Sequence, residues 1–211
     1  MPRLSRAERQ VQTAADILAS AKKKFLNSGY AATSVDEVAE DAGYSKGAVY
    51  SNFRDKPTLC RAVLDAIHRE KLAELADIST SGADLKERIT NFETWIENTA
   101  GDIAWTMLEL EFVVLSRHDP ELGAMIIALR EDAEKTVETI LESLLSGPDM
   151  ASHPRTALPV PLSEVANVLL SVGIGLGIQR AVDPSVSIQA AMSALSTALT
   201  FAIGSGRDGT V

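Results

Sequence analysis

The stretch from Ser34 to Lys56, SVDEVAEDAGYSKGAVYSNFRDK, most constrains the fold, because it packs three helix starts and one helix stop into a short span. Ser34 with Glu37 three residues later is a capping box, in which each side chain satisfies the other's orphan backbone amide. Val35, Val38, Ala39 and Ala42 repeat at i, i+3, i+4, i+7, the spacing of one buried helical face, and Gly43 supplies the left-handed residue that ends a helix. Ser45 caps a second helix, with Tyr44 and Val49 placed to close over the cap as a hydrophobic staple. Asp55 reads as the cap of a third, with Lys56 and Pro57 in its first turn, where proline's missing amide costs nothing.

On the second helix Val49 and Phe53 face inward, and Lys46, Gly47, Tyr50 and Ser51 face outward. A cation, a residue without a side chain, a phenol and a hydroxyl beside a helix N-terminus suit phosphate oxygens. Two helices about a Gly-containing turn form the helix-turn-helix, whose second member enters the major groove. Generic packing is the plain alternative, since capped pairs occur in any all-helical protein.

The residue order favours the first reading. Phe25, Gly29, Tyr30, Thr33, Ser34, Ala42, Gly43, Ser45, Lys46, Gly47, Tyr50, Phe53 and Lys56 follow in a pattern that resembles the TetR-type bacterial transcriptional regulators over about a quarter of the chain. The resemblance implies an all-α fold in which an N-terminal three-helix helix-turn-helix DNA-binding domain, residues 8–68, joins a larger helical effector-binding and dimerisation domain, residues 69–204, with a disordered tail at 205–211. It places Thr33 or Ser34, Tyr50 and Lys56 on the phosphates of a double-stranded operator, and Ser45, Lys46, Gly47, Ala48 and Asn52 at or near base edges. Ser51 and Asn52 stand where relatives often carry larger rings, so the operator sequence does not carry over. Pro57 and Cys60 replace a common Glu and Leu, a change of packing.

Charge is distributed accordingly. Met1 to Cys60 holds nine Lys/Arg against seven Asp/Glu, a net of +2, and the remainder holds eleven against twenty-two, a net of −11, which together give −9. A basic first part beside an acidic remainder is the pattern expected if only the first part meets phosphate, although acidic surfaces also serve solubility. At 45% hydrophobic and 23% charged, 211 residues suffice for one large domain or two small ones. No run of about 18 apolar residues is evident, so no bilayer-spanning helix is expected, and MPRLSRAERQ lacks the apolar core of a signal peptide. The single cysteine, Cys60, excludes an internal disulfide and a cysteine-based zinc site and fits a reducing cytoplasm.

Arg3, Arg6 and Arg9 lie in a start expected to fray, either a basic arm near phosphate or a solvated terminus. Ala14, Ile17, Leu18, Ala21, Phe25 and Leu26 form a helical stripe that closes the three-helix core, with Lys22, Lys23 and Lys24 on its wet side. From Leu59 a helix runs to about Asp77, and Ser79 to Gly82 reads as a loop. Further helices are predicted from Ala83 to about Asp102, on to His118, from Pro120 to about Ser146, from Leu162 to Val182 and from Ser187 to Ile203, with a Pro-rich loop at Gly147 to Pro161. Trp105 to Leu122 also resembles C-terminal domains of the same family, more loosely.

Leu162 to Ile178 is apolar almost all round, so it needs cover on more than one side. Gly173, Gly175 and Gly177 follow no strand and lack the spacing of a nucleotide loop, and read instead as points where another helix comes close. With the last helix, 187–203, this segment is the expected four-helix interface of a homodimer, as the resemblance implies. Two heads on a pseudo-palindrome gain affinity and discrimination that one cannot. Phe92, Trp95, Ile96, Trp105, Met107, Leu108, Phe112, Met125 and Leu129 are either plain core or the wall of a site for a small hydrophobic effector, with Trp95, Trp105 and Phe112 foremost and Glu109 and Gln179 as polar anchors.

An enzyme is a poor fit: His68, His118 and His153 are scattered, with no metal-binding pair, no serine elbow and no phosphate loop. No cofactor or metal is expected. The residual alternatives are a helical adaptor that binds protein, or an activator of the same family.

Overall fold

The computed structural model describes residues 5–80, 102–145 and 160–190, with 87, 90, 91, 94, 95, 98, 99, 193 and 197 individually. Among them lie seven bounded helices and no strand: α1 (Arg6–Ser28), α2 (Val35–Ala42), α3 (Lys46–Asn52), α4 (Lys56–Thr80), α5 (Ile103–Ser116), α6 (Pro120–Leu145) and α7 (Leu162–Val182). The all-α expectation holds. Phe92, Ile96, most of the loop at 147–161, most of the 187–203 helix and the 205–211 tail lie outside the described residues.

Two boundaries differ from those expected. The chain start does not fray at Arg6: Ser5 accepts a hydrogen bond from the Glu8 amide and Glu8 answers on the Ser5 amide at 2.7 Å, so a second capping box opens α1. The signal stands in the sequence as SRAE, masked by the arginines around it. Helix α4 also continues through Ser79 and Thr80, because nothing before Gly82 breaks it.

The chain divides into two compact units, Met1–His68 with Ala104–Leu129, and Arg69–Ile103 with Arg130–Val211. The first unit is built on one apolar cluster. Ile17, Ala21 and Phe25 of α1 meet Val35, Val38 and Ala39 of α2, Val49 of α3 and Leu59, Val63, Leu64 and Ile67 of α4. Leu108 and Phe112 of α5 and Leu122, Met125 and Leu129 of α6 belong to the same cluster. Phe25, Ile17, Leu59 and Phe112 are fully buried, each contributing about 2 kcal/mol by removal from water.

Polar groups then fix α2 on α1. Buried Ser20 donates to Val38 O and to Asp41 Oδ2, both at 3.0 Å, and Asp41 Oδ1 takes Lys23 Nζ at 2.9 Å and Lys24 Nζ at 3.8 Å. Two lysines of the run read as a wet face are therefore ties to α2, and they hold the Asp41 carboxyl below its ordinary 3.8.

In the second unit Leu75, Val137, Ile140, Leu141 and Ala166 form a separate cluster, with Trp95, Val165, Leu169 and Leu170 packed against it. Helix α7 corrects an expectation. By length and composition alone it could cross a membrane: it has 21 residues and a most apolar window with a mean hydropathy of 1.5, with Glu164 and Arg180 as its charged residues. Its own chain covers one side of it. Ala166 is fully buried while Val168, Val172 and Ile174 are 60%, 43% and 48% exposed.

Candidate nucleic-acid interface

Helices α2 and α3 are held in place by their ends. Ser34 opens α2 through the predicted capping box, with Glu37 Oε2 at 2.6 Å from the Ser34 amide. Gly43 closes it at φ 77°, ψ 24°, the left-handed conformation that a side chain would strain. Ser45 opens α3 by accepting from the Ala48 amide, and Tyr44 before it reaches back to donate to Asp16 Oδ2 at 2.8 Å. Asp55 Oδ1 accepts from the Thr58 amide at 2.8 Å at the start of α4. Burial alone would raise the Asp55 carboxyl, but the bonds from Thr58 and Arg54 outweigh it and hold it below its ordinary 3.8.

This arrangement turns one side of α3 outward. Ser45, Lys46, Gly47, Tyr50 and Ser51 are exposed, Ala48 and Asn52 are half-buried, and Val49 points into the core at 2% exposure. A Cβ on Gly47 would meet nothing closer than Ser45 Oγ at 3.8 Å, so no crowding within the chain requires glycine there. The vacancy faces outward, where a ligand's backbone can come close. Asn52 Nδ2 donates to Ala48 O at 2.8 Å, which holds its amide along the helix.

Lys46 is not idle in this surface. Its ammonium lies 2.7 Å from Asp36 Oδ2 on α2, which raises its pKa above the ordinary 10.5 and ties the starts of the two helices together. Sequence reading missed Asp36, since nothing local announces a partner ten residues away across a turn.

Thr33 and Lys56 also take places the sequence did not foretell. Thr33 is 2% exposed, and its hydroxyl donates to Gly29 O at 2.8 Å and Lys24 O at 3.3 Å, closing the end of α1. Its side chain is thereby withdrawn from the outward surface, which leaves Ser34 as the exposed member of the pair. Lys56 is half-buried: its ammonium sits 4.2 Å from the Tyr30 ring centroid and 3.4 Å from Ala31 O. Burial lowers its pKa from 10.5, against the opposing pull of Cys60, Glu111 and Glu37.

The six effector candidates fall into different surroundings. Trp105, Leu108, Phe112 and Met125 belong to the first unit's cluster, Leu108 and Phe112 at 1% and 0% exposure. Trp95 packs on the second unit's cluster and directs Nε1 to Glu74 Oε2 at 3.4 Å, and Gln179 is exposed on α7. Within the first unit, sequence reading overlooked His68. Its ring stands edge-on to Trp105 at 5.6 Å, its Nε2 lies 3.5 Å from Glu109 Oε1, and that buried nitrogen has no hydrogen-bond partner among the described residues. A half-buried polar pair beside an indole, next to an apolar cluster, is where a ligand's polar group would find an anchor. Among the described residues no group of three His, Cys, Asp or Glu could hold a metal ion.

Residues 17–63, which contain this pair of helices, match the family model described as bacterial regulatory proteins, tetR family. The HTH-type transcriptional regulator ArpR of Pseudomonas putida is 38% identical over 85 residues, which cover 40% of this chain and 40% of that one. The match thus spans less than half of that curated relative's length. Over nearly the whole chain the likeness is one of fold. A TetR-family transcriptional regulator from Rhodococcus sp. superposes with a TM-score of 0.69 at 17% identity, covering 92% of this chain and 99% of that one. SmeT, solved in a complex with triclosan, gives 0.61 at 21% identity, covering 94% and 93%.

Proposed function

We infer what this protein does from one premise: it belongs to the TetR family of bacterial regulators, and it is a DNA-binding regulator of transcription. The finer reading is a cytoplasmic repressor that holds a pseudo-palindromic operator as a homodimer and lets go when a small hydrophobic effector binds. No catalytic step or cofactor belongs to it.

The observation that carries the DNA part is the outward side of α3, where Lys46, Gly47 and Tyr50 are exposed beside the helix N-terminus that Ser45 caps. In this reading Lys46, Gly47, Ala48 and Asn52 lie at or near base edges with Ser45, while Tyr50, Lys56 and exposed Ser34 hold phosphates. Thr33 contributes through the turn its buried hydroxyl closes rather than by touching phosphate.

Helix α7 supports the dimer. Val168, Val172 and Ile174 are exposed on it, and among the described residues a Cβ on Gly173 or Gly175 would meet nothing within 4 Å. Small residues set in open space among exposed apolar ones suit the close approach of a second copy. The described beginning of the last helix, Gln189 and Ala190, would join it. For the effector, Trp105, Leu108, Phe112 and Met125 with the His68–Glu109 pair are the proposed site. SmeT's complex with triclosan is a precedent in a protein of the same fold. Binding there would shift the DNA-reading heads apart, a coupling that must act in both directions.

The test is quantitative footprinting of the full-length protein on DNA flanking its own gene. A protected pseudo-palindrome is expected, with affinity falling by orders of magnitude between low and moderate salt. A Lys46→Ala, Tyr50→Ala double variant that stays dimeric should lose the footprint. Protection of the same operator by that variant would show the site to be wrongly assigned.

A further inference from the structure

The turn between α1 and α2 is held by a residue distant in sequence. Glu111 of α5 presents its carboxylate to two successive backbone amides, with Oε2 accepting from Tyr30 N and Oε1 from Ala31 N, both at 2.7 Å. Paired bonds from neighbouring amides to one carboxylate are charge-assisted and directional, so they set the position of the turn and its orientation. Gly29 shows independently that the site is built for this contact. A Cβ there would come 3.0 Å from Glu111 Oε2, and the residue sits at φ 82°, where a side chain is strained.

What the carboxylate holds is the underside of the proposed phosphate contacts. Lys56 Nζ bonds Ala31 O and lies over the Tyr30 ring, whose opposite neighbours are Phe25 at 5.7 Å and Phe112 at 5.8 Å. Thr33 ties Gly29 O to the end of the turn, and Ser34 next to it opens α2. Turn, α2 start and Lys56 therefore move together, and Glu111 is the α5 group that fastens them.

We propose that Glu111 is the positioning residue of the phosphate grip: it straps the α1–α2 turn to α5 and thereby sets where Ser34 and Lys56 meet the DNA backbone. The inference rests on the DNA-binding reading above and adds a regulatory consequence. A displacement of α5 by about 1 Å lengthens these bonds beyond hydrogen-bonding range and frees the turn.

The experiment uses full-length protein and a duplex that the wild type enriches from a random-sequence pool. Glu111→Ala is expected to bind that duplex at least about tenfold more weakly, and with a salt slope shallower by about one unit, the loss of one phosphate contact. Lys56→Ala should behave alike, and the losses should fall clearly short of additive in the double variant, because the strap acts in part through that lysine. Glu111→Gln keeps the side-chain volume but turns a donor toward an amide, so exchange of the Tyr30 and Ala31 amides should accelerate while that of Val38 and Ala39 does not.

Unchanged affinity and slope in both Glu111 variants would overturn the strap. So would effects of Glu111→Ala and Lys56→Ala that add in full, or a lower affinity at unchanged slope, since a merely structural role gives those results. Fast exchange of Tyr30 and Ala31 in the wild type would overturn it without any substitution. If the wild type enriches no duplex, the DNA reading itself falls and the grip with it.

Discussion

Ser34 and Glu37 show how much one reciprocal cap controls. The Ser34 amide, with its hydroxyl, holds the Glu37 carboxyl below its ordinary 4.5. A depressed carboxyl contributes stability that is complete above its unfolded pKa and is lost as pH falls through its folded one. Denaturant midpoints of the wild type should therefore decline as pH drops below about 4.5. Ser34→Ala should unfold about 1 kcal/mol more easily at neutral pH and show a smaller part of that acid decline. An equal pH dependence in the two proteins would contradict the assignment. Cys60 makes a second residue-level case. Burial pushes its thiol up to about 12, so at pH 8 it is almost wholly protonated and enclosed. Alkylation should be far slower than that of a free thiol and should accelerate only in denaturant, as mass spectrometry of timed samples would reveal.

At the scale of elements, α3 depends on its neighbours. It has only seven residues, too few to be stable alone, and it stands because Ser45 caps it and Val49 anchors it. Gly43 makes the bend that points it outward. Gly43→Ala would place a side chain at φ 77° and should cost about 1 kcal/mol by thermal melting, although no neighbour crowds it. Because that strain lies between α2 and α3, operator affinity should fall with it. A stability loss with operator affinity unchanged would mean that the bend does not set the reading angle. Most of α2 and α3 was legible beforehand, since caps and periodicity act within four residues. The Ser20–Asp41 and Lys46–Asp36 ties were not, because each joins helices whose crossing no local pattern specifies.

At the scale of the whole molecule, the proposed function depends on two copies. Introducing charge on the face of α7 left uncovered, as in Val168→Glu with Ile174→Glu, should yield monomers by sedimentation velocity while helical content is kept. Operator affinity should then fall by orders of magnitude, since each head would bind alone. A variant that remained dimeric would remove α7 from the interface.

The division of the chain shows where sequence reading stops. Caps, stripe spacing and the left-handed glycine act over a few residues, so amino-acid order alone settled that the chain is helical, where α2 and α3 begin, and which side of α3 turns outward. Order also exposed the excess of positive charge in the first sixty residues. It did not disclose that Ala104–Leu129 packs with Met1–His68 rather than elsewhere, nor that Glu111 meets amides some eighty residues away. Neither could be read along the chain, for a physical reason: a carboxylate on a helix looks the same in sequence whether it faces water or a turn. Only the closing of the apolar cluster around Phe25, Tyr30 and Phe112 decides which it faces.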